Sequence, residues 1–260
     1  MDDKLRQLQL CELEILDEFV RICEKHELQY YLVGGTLLGA VRHQGFIPWD
    51  DDIDVAMPRE DYQKLLKLQP EFPDHLRLVS ERLTRECPFN YCKLFDKRNH
   101  LEPEIELGPR WVYIDIFQLV PSRAPGRLEC LGMDMITVLG YVIQVKYGWE
   151  KYRPYKKWTA RAGFQILKLL PNTILQLIRD GITAWLTEEN TEWYFCPGGK
   201  YGGAVEFFPK RWFEPIARLR FDHKEYDAPS GWDEYLRRHY GDYMKLPPEK
   251  DCVKNPFKET

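Results

Sequence analysis

The sequence predicts an α+β protein, with a mixed sheet flanked by helices and interrupted by a helical insertion. Three observations predict it. Short strand-like runs alternate with helical patterns over the first 120 or so residues, the pattern is helical from about 128 to 186, and strand-like, turn-rich sequence returns near 193. We therefore divide the chain into a core at 1–127, a helical insertion at 128–190, and a segment at 191–260 that completes the core.

The elements of the first half follow from periodicity, caps and turn residues. Residues 4–26 carry an apolar stripe at helical spacing. Thr36 is expected to cap a short helix over Leu37–His43, which Gly45 ends, and Pro58 is expected to open a helix that runs to about Leu68. Alternating or continuous apolar runs predict strands at Tyr30–Val33, Trp49–Met57, Leu76–Val79, Tyr91–Phe95 and Trp111–Val120.

The second half is predicted to begin with helices. Leu131–Gln144 and Ala162–Ile178 are rich in apolar residues, and Pro171 is expected to kink or divide the second of them. Strand-like sequence follows at 193–226, and a last helix is predicted over about Trp232–Tyr240.

Composition limits the possible classes of function. With 260 residues, 44% apolar and 30% charged, the chain can build a substantial core. A net charge of −4 gives no general reason to expect nucleic-acid binding. The seven cysteines form no C-x-x-C pair, which favours structural thiols and a cytoplasmic location over a disulfide framework, and Cys87 with Cys92 would need two further ligands to bind zinc. No stretch reaches the ~18 uninterrupted apolar residues of a spanning helix.

The most informative segment is an acidic run, Trp49-Asp-Asp-Asp-Ile-Asp-Val55. Two carboxylates about 5 Å apart repel by roughly 3 kcal/mol at an effective dielectric near 20, so a fold that gathers four of them is expected to hold a divalent cation. On a strand, Asp52 and Asp54 share one face while Ile53 and Val55 point to the core. Asp50 would lie on the same face as Asp52 and Asp54, but its role stays open. Asp51 is expected to point to the opposite face.

Two further features support this interpretation. Asp115 is the single charge in the apolar strand Trp111–Val120, so it is expected either to share the metal or to form a salt bridge with a Lys or Arg. Gly34-Gly35 precedes a short helix, where bare backbone N–H groups can approach phosphate oxygens. Arg42, near the end of that helix, could contact a phosphate or cap the helix carbonyls.

At these residues the chain resembles the LicD family, phosphocholine transferases of bacterial surface glycans that are related to the fukutin-type proteins of animals. The stretch Gly34–Val55, GGTLLGAVRHQGFIPWDDDIDV, is similar to the family's core motif. Tyr113–Phe117, YIDIF, resembles its second motif, and Tyr240–Pro248, YGDYMKLPP, resembles its C-terminal motif.

The resemblance implies a nucleotidyltransferase-like fold and a function. Asp52, Asp54 and Asp115 would bind Mg²⁺ or Mn²⁺ and carry catalysis, and Gly34, Gly35 and Thr36 would hold the phosphates of the donor. Arg42 is the further candidate for phosphate binding that its position suggests. The donor would be a CDP-alcohol, commonly CDP-choline, and the acceptor a hydroxyl of a glycan or lipid-linked glycan such as lipopolysaccharide or teichoic acid. Two alternatives stay open: nucleotidyl transfer with release of pyrophosphate, and a binding protein that keeps the fold without catalysis.

The segment 146–161 carries six basic residues and one acidic residue, interleaved with Tyr and Trp. Such a composition is expected either of a peripheral membrane contact at the inner face of the membrane or of a solvated basic loop.

Overall fold

A computed structural model of the chain describes residues 3–84, 87–105, 108–149, 158–248 and 252. The chain divides into two compact units. Unit 1 comprises Met1–Val79, Cys92–Gln118 and Pro209–Thr260, and unit 2 comprises Ser80–Tyr91 and Leu119–Phe208. The predicted three-part division at 127 and 190 stays a prediction.

Unit 1 contains an antiparallel-rich sheet, several helices and a separate hairpin. Its helices are α1 (Asp3–Lys25), α2 (Gly34–His43), α3 (Arg59–Leu65) and α7 (Trp232–Tyr240), with short 3₁₀ turns at Gln69–Glu71 and Lys210–Trp212. Its strands are β1 (Tyr31–Leu32), β2 (Asp54–Pro58), β3 (Leu76–Val79), β4 (Cys92–Ile105), β5 (Gly108–Ser122, which ends in unit 2), β8 (Ile216–Phe221) and β9 (Lys224–Pro229).

The strand order decides which side chains can meet. The sheet of unit 1 runs β1-β2-β5-β4-β3, and β8 pairs with β9 in a two-stranded hairpin. In this order β5 lies between β2 and β4, so that side chains of β5 can contact groups from both neighbours. Helix α1 buries Leu16, Phe19 and Ile22 completely, as the predicted apolar stripe requires.

Unit 2 is built mainly from helices. They are α4 (Arg127–Lys146), α5 (Trp158–Leu169) and α6 (Asn172–Leu186), and the last residues of β5 pair with β6 (Trp193–Phe195), which pairs with β7 (Phe207–Pro209). Pro171 is the N-cap of α6, so it divides the predicted second helix in two. By length and composition alone α4 could cross a membrane, but Leu139, Val142 and Ile143 on this helix are fully buried in a cluster with residues of α5 and α6.

The structure therefore confirms an α+β protein and corrects some of the predicted boundaries. Strand β2 begins at Asp54 rather than Trp49. Helix α2 begins at Gly34, with Val33 as its N-cap and no side-chain cap, so the predicted capping role of Thr36 is wrong. Thr36 lies inside the first turn instead, and its hydroxyl accepts a hydrogen bond from the Asp54 N–H at 2.8 Å. All seven cysteines lie among the described residues and are free thiols.

Candidate functional site

The acidic run lies in the loop that enters β2. One carboxylate oxygen from each of Asp50, Asp51 and Asp52 lies within 4.8 Å of the other two, and Asp50 is buried. The prediction that Asp51 points away is wrong, because the extended strand starts only at Asp54 and strand alternation does not govern the residues before it. The three consecutive aspartates thus converge on one small volume.

At the end of the run the predicted burial of Ile53 and Val55 is confirmed, whereas the shared face of Asp52 and Asp54 stays a prediction. Ile53 and Val55 are fully buried, whereas Asp52 and Asp54, which precede them in turn, are half-buried. The backbone of Asp54 is fixed on both sides, because its N–H donates to Thr36 and its carbonyl accepts from the Val33 N–H at 3.2 Å. Asp54 is not in the 4.8 Å group of Asp50, Asp51 and Asp52.

The paired glycines lie directly against carboxylates of the run. A Cβ added to Gly34 would be 2.5 Å from Asp54 Oδ2, and one added to Gly35 would be 2.6 Å from Asp50 Oδ2. Gly34 also has a φ of +55°, which L side chains rarely adopt. Carboxylates next to a helix N-terminus are stabilised by its positive dipole end. The N-terminus of α2 and the acidic run therefore form one site.

Asp115 lies on β5 beside this site and is paired with a lysine. Its backbone N–H donates to the Ile53 carbonyl at 2.8 Å, which fixes it next to the acidic run. On the other side, Lys93 of β4 stands directly opposite Asp115 in the strand register, and Lys93 Nζ donates to Asp115 Oδ1 at 2.5 Å. Both side chains are buried. The salt bridge expected as one alternative for Asp115 is therefore present, and its role as a metal ligand stays a prediction.

Tyr113, two residues before Asp115, contacts the lysine of this pair. Lys93 Nζ lies 3.5 Å from the centroid of the Tyr113 ring, a cation–π contact. The ammonium of Lys93 lowers the pKa of Tyr113, but burial and the nearby carboxylates of Asp115 and Asp52 oppose it, and the net effect raises that pKa to about 12. Tyr113 is thus a neutral phenol at physiological pH.

Two buried polar side chains of α1 lie next to the acidic run. Gln9 is fully buried, and its Nε2 donates to the Asp50 carbonyl at 3.0 Å. One turn later Glu12 is also buried, and its Oε2 has no hydrogen-bond partner. Burial, followed by the negative charges of Asp52, Asp51, Asp50 and Asp115, raises the pKa of Glu12 well above its usual value. Glu12 is thus a sixth carboxyl group of this site, close enough for the negative charges of the aspartates to act on it.

The C-terminal helix closes the other side of the glycine turn. The Gly34 N–H donates to the hydroxyl of Tyr235 in α7 at 3.4 Å, and the Tyr235 ring stacks on His239. Arg42 Nη1 donates to the Tyr243 carbonyl at 2.8 Å, and burial lowers the pKa of Arg42. Arg42 thus ties α2 to the C-terminal motif, and its predicted contact with a donor phosphate stays a prediction.

Two residues of this site, Lys93 and Glu12, were not predicted from the sequence. Glu12 stands three and four positions before Ile15 and Leu16, so it interrupts the apolar stripe of α1 and could have been noticed as a lone buried acid. Lys93 stands between the apolar residues Cys92 and Leu94 in the same way. Its partner depends on the β4–β5 register, which the sequence does not reveal.

Comparisons with known proteins support the resemblance. The family model described as "LicD/FKTN/FKRP, nucleotidyltransferase domain" matches residues 27–124. The chain is 30% identical to the lipopolysaccharide cholinephosphotransferase LicD of Haemophilus influenzae over 98% of this chain and 97% of that protein. It belongs to the LicD family.

Other relatives match shorter segments of the chain. The human ribitol 5-phosphate transferase FKRP is 44% identical over 20% of this chain and 11% of its own length. An uncharacterized protein of Rickettsia prowazekii is 35% identical over 31% of this chain and 29% of its own length.

The buried Lys93–Asp115 pair generates a prediction about stability. Replacing Lys93 by Met leaves a buried carboxylate without its ammonium and should lower the free energy of unfolding by about 3–5 kcal/mol. Lys93→Met combined with Asp115→Asn should recover most of that loss. Urea unfolding of both variants checks this, and an equal loss in the single and double variants would contradict the pairing.

Glu12 generates a prediction about how the free energy of unfolding depends on pH. The measurement is made with a chelator present. Glu12 holds its proton in the folded protein at pH values where the unfolded chain loses it, above about 4.3. The unfolded state then binds fewer protons, so the Glu12 contribution lowers stability as pH rises. Glu12→Gln should therefore be more stable than the wild type near pH 8, with the difference shrinking toward pH 4.5. Glu24→Gln, at an exposed glutamate of the same helix, is the matched control.

A third prediction compares Gly35 of the glycine turn with a reference glycine in another helix. The reference is Gly181 in α6, where an added Cβ would meet open space, so Gly181→Ala should stabilise the protein by up to about 1 kcal/mol through helix propensity. Gly35→Ala is also a helical substitution, but its Cβ must displace the Asp50 carboxylate. It should therefore show no such gain in thermal unfolding, and a gain equal to that of Gly181→Ala would show that Asp50 does not occupy this space.

Proposed function

We propose that the protein transfers a phospho-alcohol, phosphocholine from CDP-choline in the first instance, onto a hydroxyl group of a surface glycan with release of CMP. The observation that carries the proposal is the full-length relation to a lipopolysaccharide cholinephosphotransferase, combined with an acidic cluster at a glycine-initiated helix N-terminus. The other named relative, a ribitol 5-phosphate transferase, also moves a phosphorylated alcohol. A nucleotidyltransferase-like arrangement of the unit 1 sheet is part of the same proposal.

The residues of the acidic site fit a divalent cation such as Mg²⁺ or Mn²⁺. Three aspartate oxygens lie within 4.8 Å of one another, and the buried Oε2 of Glu12 has no partner, which is costly unless a proton or a cation compensates it. We propose that Asp52, Asp54 and Asp115 would hold the ion, assisted by the neighbouring Asp50 and Asp51. A bound cation would supply charge neutralisation for the donor's diphosphate.

The N-terminus of α2 would receive the phosphates of the donor. Gly34 and Gly35 form the first residues of this helix, whose dipole favours negative charge at that end. Thr36 supports this place by fixing the Asp54 backbone, and Arg42 provides a cation at the other end of the same helix. Because Asp50 and Asp54 border the glycines, a diphosphate at this position would adjoin the acidic cluster.

In the proposed reaction the acceptor's hydroxyl oxygen forms a bond to the phosphorus that carries the alcohol. The bond from that phosphorus to the oxygen bridging to CMP breaks in line, and CMP leaves with the electron pair. A carboxylate accepts the proton of the acceptor hydroxyl. Asp115 is the preferred candidate for this base among Asp52, Asp54 and Asp115, because it is the most enclosed and Lys93 holds it in one orientation.

Lipopolysaccharide is the proposed class of acceptor, because it is the one named for the full-length relative. A glycan or lipid-linked glycan acceptor on the cytoplasmic side of the membrane, and a cytoplasmic location of the protein, complete the proposal. The seven free thiols accord with a reducing compartment.

Asp54→Asn tests the proposal directly. With CDP-choline, Mn²⁺ and a glycolipid acceptor, the wild type should release CMP. Asp54→Asn should do so about 100-fold more slowly or less, because one carboxylate of the charge-stabilising site is lost. Asp74→Asn, at an exposed acid elsewhere in unit 1, is the matched control and should keep the wild-type rate.

Mass spectrometry of the products separates this proposal from nucleotidyl transfer. An acceptor that gains a phosphocholine mass supports the proposal. An acceptor that gains a nucleoside monophosphate from a nucleoside triphosphate, with release of pyrophosphate, would replace it. Wild-type turnover by Asp54→Asn, or no calorimetric signal on titration with Mg²⁺ and Mn²⁺, would contradict the role of the acidic site.

A further inference from the structure

Helix α6 in unit 2 is apolar on two faces. On one face Leu175 and Leu186 are fully buried, in contact with clusters that include residues of α4. On another face Leu177 and Ile178 stand three and four residues after Ile174, and all three are exposed, Leu177 to 66%. A helix on the surface of a globular unit normally carries polar residues on its outer face.

Helix α5 repeats this arrangement. Phe164 is buried and Leu167 packs against the same cluster, whereas Ile166 and Leu169 are exposed to 64% and 84%. Only Leu170 and Pro171 separate the two helices, so Leu169 and Ile174 lie at the same end of the helix pair. We name Ile166, Leu169, Ile174, Leu177 and Ile178 the α5–α6 apolar face.

The charges next to this face are mostly positive. Helix α5 contains no acidic residue, and its Arg161 and Lys168 are exposed. The chain that leads into α5, 146–161, has six basic residues and one acidic residue. Residues 150–157 of that segment lie outside the described residues, so its predicted membrane contact stays a prediction and the proposal below uses Arg161 and Lys168 alone. Helix α6 contributes one exposed acid, Asp180, while its Arg179 is buried and paired with Glu81.

We propose that the α5–α6 apolar face docks on the surface of a bilayer that contains anionic lipids. Exposed leucine and isoleucine side chains would enter the boundary between headgroups and acyl chains, and the flanking cations would contact anionic headgroups. A second copy of this chain would bring the same cations against each other, because it carries the same charges, so charge favours the lipid surface. The proposal needs neither the donor nor the acceptor and does not rest on the proposed function.

Vesicle co-sedimentation tests it with the whole protein and no substrate. The wild type should bind vesicles of phosphatidylcholine with phosphatidylglycerol, and bind vesicles of phosphatidylcholine alone more weakly. Leu169→Gln/Leu177→Gln keeps good helix formers at exposed positions and should lower binding to the anionic vesicles by about tenfold or more, because two apolar side chains no longer leave water. Arg161→Gln/Lys168→Gln should lower it by about tenfold, and added salt should weaken the wild type in the same way.

The matched control is Leu10→Gln/Leu246→Gln, which removes two exposed leucines of unit 1 and should bind as the wild type does. Circular dichroism checks that each variant is folded. Failure of the wild type to sediment with anionic vesicles would overturn the proposal, and so would equal sedimentation of wild type and Leu169→Gln/Leu177→Gln. Light scattering that finds a wild-type dimer, made monomeric by Leu169→Gln/Leu177→Gln and without vesicle binding, would assign the face to self-association instead.

Discussion

Negative charge concentrated in a small volume is the constraint on which unit 1 depends. Asp50, Asp51 and Asp52 come from one loop, Asp115 from the neighbouring strand, and Glu12 from helix α1. Lys93 compensates Asp115 within the protein, and the dipole of α2 faces Asp50 and Asp54. Glu12 has an oxygen without a partner and a raised pKa. The fold tolerates repulsion that costs stability, which is typical of a site kept for chemistry rather than for folding.

The surrounding structure can be understood as a support for this site. Gly34 and Gly35 lack side chains where carboxylates come within contact distance, Thr36 fixes the backbone of Asp54, and Gln9 holds the carbonyl of Asp50. None of these contacts comes from a segment close in sequence to the one that it supports. The loop, the N-terminus of α2 and helix α1 therefore meet only through tertiary contacts, and the sheet order adds Asp115 by placing β5 between β2 and β4. Residues that orient such a site matter nearly as much as those that bind.

Local patterns predicted the parts of the structure that depend on local physics. The stripe of α1, the burial of the apolar residues Ile53 and Val55, and the division of the helical region at Pro171 all follow from apolar patterning and backbone chemistry. The role of Thr36 and the direction of Asp51 were predicted wrongly, because helix α2 starts three residues earlier and strand β2 five residues later than expected. Lys93 and Glu12 were missed because their importance comes from β-sheet register and helix packing, which no single segment encodes.

Unit 2 poses a different physical question, since its helices carry more apolar surface than their mutual packing uses. Phe164, Leu175 and their neighbours already bury one face of α5 and of α6, so Ile166, Leu169 and Leu177 add nothing to that core. Exposed apolar side chains in a row gain free energy only when something removes them from water. Folding of unit 2 leaves these side chains in water, so a binding partner must bury them. The positive charge nearby favours a partner that is negatively charged. Burial against an anionic lipid surface satisfies both the apolar residues and the cations, whereas an apolar partner without negative charge would satisfy only the first.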